Sequence, residues 1–324
     1  MKDQPAFILN TRQTEDSTCP GFQKRIRSLT ADCMGIFRGC FLLILYALNT
    51  ALWCPLLIFF GILKLIIPIN VWRNFISKII TKLAFNWVAV NNFTMARLTP
   101  VCLDIEGLEN LDTDDWYLVL SNHQTWVDIL VLQRIFYKQI PFLKFFIKKE
   151  LIWVPLLGIT WWALDFPFMK RYSKSFLAKN PHLLGKDMEI TRKACEKFKT
   201  MPVSVMNFVE GTRFTESKHL NQKSPYKNLL KPKAGGVAQV VSAMGEYINH
   251  VLSVTIVYPE GKNISFWSLL CGKIRKIRID IKSVPVSNEM MGDYANDREF
   301  RKQFQKWLND IWADKDRIID ELKQ

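Results

Sequence analysis

The sequence predicts an α/β domain carried behind an N-terminal helical segment that is embedded in a membrane. Three observations predict it. Short apolar runs of strand character, at 116–120, 203–209 and 251–258, alternate with stretches of helical spacing. The stretch 39–63 contains no charged residue, and a helix needs only about 20 apolar residues to cross a bilayer core of about 30 Å. Basic residues flank that stretch on both sides: Lys24, Arg25, Arg27 and Arg38 before it, Lys64, Arg73, Lys78 and Lys82 after it.

Composition narrows the possible functions. The chain has 324 residues, enough for one large domain or two small ones, with 49% hydrophobic and 13% aromatic residues. Its net charge of +14 suits an anionic partner: nucleic acid, anionic lipid or a phosphorylated substrate. The 7 cysteines are dispersed, without C-x-x-C or zinc-type His/Cys spacing, which argues for reduced thiols packed in cores. No metal site is expected. There is no internal repeat, P-loop, G-x-S-x-G or H-E-x-x-H.

Residues 1–35 read as a polar N-terminal segment, 36–98 as membrane-anchoring and interfacial helices, and 99–324 as the α/β domain. Pro55 interrupts the uncharged run, so it reads either as one kinked span or as two short helices that dip in and return. Basic flanks on both sides favour the return, with the domain on the cytoplasmic face. Residues 71–99 set Trp72, Phe75, Ile79, Ile80, Leu83 and Trp87 among spaced basic residues, an amphipathic pattern for the membrane interface. Residues 101–106 open the α/β domain, and 107–115 form a polar turn. Residues 130–149 read as helical. Residues 151–168 are apolar and aromatic but broken by Pro155, Gly158 and Pro167, too broken for a clean span. Residues 191–199 read as a basic helix, 274–284 as a strand with one exposed face, and 297–323 as a packing helix with Phe304, Leu308 and Trp312 at helical spacing.

Three stretches carry chemistry. Residues 121–130, Ser-Asn-His-Gln-Thr-Trp-Val-Asp-Ile-Leu, place His123 five residues before Asp128. Ser121 and Asn122 are helix-starting types after an apolar strand, so the pair straddles a strand-to-helix turn, where two such side chains can meet. An imidazole held by a carboxylate is a general base with a fixed tautomer. The second stretch, Glu210-Gly211-Thr212-Arg213, is a glycine turn at the end of a strand. It presents an acid and an arginine whose planar fork matches phosphate. In the third, Lys231 and Lys233 precede Gly235 and Gly236 at the start of a helix, a setting that suits an anion.

These stretches, in this order, resemble the lysophosphatidic acid acyltransferase family of glycerolipid acyltransferases. Its N-H-x-x-x-x-D motif matches Asn122, His123 and Asp128, and its E-G-T-R motif matches Glu210 to Arg213. Its middle motif resembles 166–171 and its last motif 254–259, so the resemblance covers about 100–260. The details 214–219 (FTESKH) and 229–236 (LLKPKAGG) are similar to a bacterial membrane branch close to lysocardiolipin-type acyltransferases. The middle motif here ends Phe-Met-Lys-Arg, so Lys170 and Arg171 both stand as its basic residue.

The resemblance implies a mixed sheet flanked by helices, an inner-membrane location, and acyl transfer from acyl-CoA or acyl carrier protein to a lysophospholipid. Lysophosphatidic acid is the default acceptor, giving phosphatidic acid by reaction at its sn-2 hydroxyl. Lysophosphatidylglycerol and lysocardiolipin are the alternatives. His123 is expected as base and Asp128 as its orienting carboxylate. Glu210, Gly211, Thr212 and Arg213, with Arg171, Lys149 and Lys233, are expected at the substrate. Residues 151–168 would wall the acyl chain, lie on the membrane, or form core. Neither cofactor nor nucleic acid is implied. A different class of reading, a non-catalytic protein binding anionic lipid through its charge, would tolerate loss of His123 but not of its basic clusters.

Overall fold

The computed structural model of the chain describes residues 20–169, 195–261, 264–287, 290–294 and 296–324. The first helix, α1 (Pro20–Ile66), runs 47 residues without a break through Pro55. The proline costs one backbone hydrogen bond, and the apolar stretch on either side holds the helix. The helix therefore begins inside the stretch read as a polar N-terminal segment, and the chain turns back after it into α2 (Asn70–Leu98). Trp72 donates to the Leu63 carbonyl and Asn49 to that of Trp87, a register that makes the two helices antiparallel. A buried polar clamp, Asn49 donating to Asn91 at 2.8 Å, lies between them. The stretch Asp32–Ile66 is long and apolar enough to cross a membrane, and only 28% of its most apolar window is buried. Met34, Phe37, Leu48, Leu52 and Phe59 are among the residues it turns outward.

The domain is built on a six-stranded sheet, in the order β1 (Cys102–Glu106), β8 (Lys276–Pro285), β7 (Ile248–Val257), β2 (Trp116–Ser121), β6 (Ser204–Phe208), β3 (Leu143–Phe145). β7, β2, β6 and β3 are parallel, and β8 and β1 run the other way, so the sheet is mixed. β2 lies at its centre. Tyr117 and Val119 feed the core on one face, Leu118 and Leu120 the core on the other. A strand covered on both faces reads as a continuous apolar run, as 116–120 does. One face is covered by α2 and α3 (Val127–Ile135). The other carries α6 (Ala234–Met244) and α8 (Arg298–Leu322).

Between β3 and β6 the chain forms a two-stranded sheet of β4 (Ile147–Lys148) and β5 (Phe168–Met169), around α4 (Leu157–Ala163). Two short helices, α5 (Glu216–Gln222) and α7 (Phe266–Leu270), follow among the described residues. α1 packs on α4 and α7, where its Tyr46 meets Phe266 edge to face at 5.5 Å. Lys64 pairs with Asp165.

Three expectations need correction. The helix expected at 130–149 ends at Ile135, because Lys138 takes a left-handed φ of 58° and Pro141 follows; the chain then supplies edge strand β3. The strand at 274–284 is not left with one face bare. It lies between β1 and β7, and its polar side meets α8, with Lys282 pairing with Asp314 at 2.6 Å and Arg278 donating to the Leu322 carbonyl at 2.7 Å. Ser121 and Asn122 do not start the helix, which begins at Val127. Of the basic helix expected at 191–199, residues 191–194 lie outside the described residues, and Lys197–Thr200 form a short 3-10 turn.

Candidate active site

The parallel strands β2, β6 and β7 end on the same side of the sheet, and the loops that follow them make the site. Asn122 extends β2 by a side-chain bridge. Its amide accepts from the Ile256 N–H and donates to the Ile256 carbonyl, both at 2.9 Å. Gln124 donates to the same carbonyl at 2.8 Å. With the backbone pinned to β7, the chain turns and α3 brings Asp128 back under His123. The imidazole Nδ1 lies 2.9 Å from Asp128 Oδ2. A carboxylate only accepts, so Nδ1 carries the proton and Nε2 is the nitrogen left for chemistry.

Asp128 is fully buried. Its Oδ2 also accepts from the backbone N–H groups of Gln124 at 2.6 Å and Thr125 at 2.9 Å, and its Oδ1 from the Tyr258 hydroxyl at 2.6 Å. A buried carboxylate needs donors of this kind to remain in place. The Phe208 ring, at the end of β6, stacks on the imidazole with centroids 3.9 Å apart and 15° between planes. His123 is thus held by a carboxylate at its edge and by an aromatic ring on its face.

The turn after β6 needs its glycine: Gly211 sits at φ 70° and donates to the Phe208 carbonyl at 2.9 Å. Phe214 then donates to the His123 carbonyl at 2.7 Å, locking the two loops together. Arg213 lays its guanidinium over Trp126, 5.2 Å from the ring centre. Lys218 supports the turn by donating to the Thr212 hydroxyl and the Arg213 carbonyl.

His123 and Gly211–Arg213 open onto one cavity of about 340 Å³. Most of its wall is apolar: Trp87 from α2, Phe142, Phe145, Leu151, Trp161 and Phe166. The broken stretch 151–168 therefore divides its roles. Leu151, Trp161, Leu164 and Phe166 face the cavity, while Trp153, Leu156, Ile159 and Trp162 are exposed.

The remaining expected residues fall elsewhere. Glu210 lies beneath the turn and is fully buried. Among the described residues neither of its oxygens meets hydrogen-bond geometry. Burial pushes its carboxyl up to about 8, with Asp128 adding to the rise and the Leu230 and His123 N–H groups and Lys315 opposing it. Lys149 and Lys233 are exposed and do not line the cavity. Arg171 lies outside the described residues.

Residues the motifs did not single out include Tyr258, Phe208, Trp126 and Lys315. Lys315, on α8, is 1% exposed and donates to the Val254 carbonyl at 2.6 Å. Burial holds its ammonium down to about 7, against the pull of Asp280 and Glu210. The sequence offered one signal for Tyr258, a phenol at the end of an apolar strand; for Lys315 it offered none.

The buried Glu210 makes stability depend on pH. Its folded value of about 8 lies above the ordinary 4.5, so the folded form holds a proton that the unfolded chain releases. Its contribution is complete below 4.5 and is lost as pH rises to about 8. Between pH 5 and 7 that loss is about 2 kcal/mol. Lys315 acts only above its value of about 7, in the opposite sense, so it does not mask this window. Urea midpoints at the two pH values should differ accordingly in the wild type and much less in Glu210→Gln. An equal difference in both would place the pH dependence elsewhere.

The family model described as Acyltransferase matches residues 102–287. The chain belongs to the acyltransferase family. The matched span runs from β1 to just past β8 and contains both loops of the site. Human 1-acyl-sn-glycerol-3-phosphate acyltransferase gamma is 25% identical over 187 residues, covering 55% of this acyltransferase and 45% of the human chain. The 2-acyl-1-lysophosphatidylinositol acyltransferase of Saccharomyces cerevisiae is 23% identical over 251 residues, covering 63% of this chain and 60% of its own. The chain thus spans about half the length of the curated relatives it matches. The crystal structure of the 1-acyl-sn-glycerophosphate (LPA) acyltransferase PlsC of Thermotoga maritima has the same fold, with a TM-score of 0.53 at 17% identity. The match covers 93% of this chain and 98% of that one.

Proposed function

We propose that the protein transfers a fatty acyl group from a thioester, acyl-CoA or acyl carrier protein, to the sn-2 hydroxyl of lysophosphatidic acid, giving phosphatidic acid. One observation carries the reading: a His123–Asp128 pair at 2.9 Å opens onto an aromatic-walled cavity whose rim also bears Arg213. A cavity of this character fits a hydrocarbon chain. His123 Nε2 takes the acceptor's hydroxyl proton as the oxygen attacks the thioester carbonyl, and Asp128 stabilises the imidazolium that forms. The carbon–oxygen bond forms, the carbon–sulfur bond breaks, and the thiolate leaves with that proton or one from water. Arg213, whose guanidinium lies over Trp126, grips the acceptor phosphate.

The outward apolar residues of α1 and the exposed Trp153 and Trp162 of the domain would seat the molecule on a membrane, letting a lipid enter the cavity without crossing water. The positive charge suits the cytoplasmic leaflet of an inner membrane. The yeast relative's name favours a second reading, another lysophospholipid as acceptor.

The deciding experiment is thiol release from oleoyl-CoA by the purified protein, with lysophosphatidic acid, lysophosphatidylglycerol, lysophosphatidylinositol or no acceptor. Release that requires lysophosphatidic acid is the expected result. Release only with another lysolipid keeps the chemistry and changes the substrate; no acceptor-dependent release from either class of donor overturns the function. In the same assay Arg213→Lys should raise the acceptor KM about tenfold with little change in kcat, because a planar fork becomes a point charge. An unchanged KM would remove Arg213 from the acceptor site.

A further inference from the structure

Asp128 carries an uneven set of partners. Three donors converge on Oδ2: the His123 imidazole and the N–H groups of Gln124 and Thr125. Oδ1 has the Tyr258 hydroxyl, 2.6 Å away, reaching across 130 positions from the end of β7. Asp128 is 0% exposed and Tyr258 2% exposed, so water does not replace that donor. Both ends of the contact are rigid. Asp128 is in the first turn of α3, and Tyr258 follows the strand residue Val257, two positions past the doubly bonded Ile256.

We propose that Tyr258 is a positioning residue for the His123–Asp128 pair: its O–H fixes the rotation of the carboxylate and draws charge from it, and so sets the pH range over which His123 acts as base. The geometry requires the phenol to donate, since the carboxylate only accepts. Burial, reinforced by Asp128, keeps that phenol protonated well above its ordinary 10.0. The bond has two effects. It aims Oδ2 at the imidazole. It also tempers the negative charge that would otherwise hold a proton on His123 more firmly. Other charged groups around the pair are Glu210 beneath the β6 turn, Arg213 on Trp126, and Lys315 of α8 beyond Glu210. None of these donates a hydrogen bond to Oδ1.

The inference rests on the proposed acyl transfer for its kinetic test, and a second test is independent of activity. Tyr258→Phe keeps the ring and removes the hydroxyl. The expected result is a fall in kcat of about tenfold at pH 7 with both KM values within about twofold, and an acid limb of kcat/KM moved by about half a unit to higher pH. Activity therefore recovers relative to wild type in alkaline buffer. A monofluorotyrosine placed at 258 is nearly isosteric and a stronger donor, and it should move the limb to lower pH. It also guards against a Tyr258→Phe protein that fails to fold.

The independent reading is by NMR on protein labelled with ¹⁵N-histidine. The Nδ1–H proton of His123, assigned by its absence from His123→Asn, should exchange with water about tenfold faster in Tyr258→Phe than in wild type. A pH profile that is only scaled down, or an Nδ1–H that exchanges at the wild-type rate, would overturn the role of Tyr258. If no lysolipid elicits thiol release from the wild type, the proposed function falls, and the NMR comparison still decides for or against Tyr258.

Discussion

His123→Ala should lower acceptor-dependent thiol release by about 10²–10⁴-fold, the usual contribution of a positioned general base. The substitution should leave the fold intact, for reasons visible in the site. Removing the imidazole takes one donor from Asp128 and leaves three: the N–H groups of Gln124 and Thr125 and the Tyr258 hydroxyl. The buried carboxylate therefore keeps its partners. Phe208 loses a stacking neighbour but still packs against Phe145, 6.2 Å away. The backbone of the turn remains tied to β7 through Asn122 and to the next loop through the Phe214 N–H. Thiol release measured beside a urea unfolding curve separates loss of chemistry from loss of structure. Turnover near that of wild type would show that another group takes the proton.

The second large effect is structural. Trp312→Ala should destabilise the protein by about 3–5 kcal/mol, a large share of the 5–15 kcal/mol that typically holds a domain together. Trp312 is 0% exposed, among the largest fully buried side chains, in the core that joins α8 to β7 and α6. Its indole N–H has no partner among the described residues, so the loss is one of packing and not of a hydrogen bond. The indole also lies 5.4 Å from the Lys315 ammonium, which is left over a void when the ring is removed. The midpoint of urea unfolding reads the effect directly, and Trp312→Phe should restore much of it. A loss under about 1 kcal/mol would mean that α8 is held by its surface pairs instead.

Local features of the fold and site were legible because the physics that makes them is local. Residues 116–120 form a strand because they are apolar and β-branched or aromatic in part. Gly211 makes its turn because the chain takes φ 70° there. His123 and Asp128 meet because a strand-to-helix turn separates them. Where local signs misled, a long-range contact had replaced the local role. Asn122 has the chemistry of a helix cap, and its amide is taken by Ile256. The polar face of β8 resembles an exposed surface, yet it meets α8.

The nearest-neighbour pattern of the chain thus sufficed to single out the His123–Asp128 pair, the Gly211 turn that presents Arg213, and the apolar run that became α1. Strand order, the cavity and the supports of the site came from packing. β2 is apolar toward both faces, and nothing in such a run names its neighbours as β7 and β6. The cavity wall draws Trp87 from α2 and Phe166 from a loop far along the chain. Glu210, adjacent in sequence to the glycine of its motif, is turned into the core, and Tyr258 reaches Asp128 across 130 positions. Side-chain spacing can be read along a chain only where its partners lie within a turn or two. Partners brought together by the sheet become visible only once the sheet has formed.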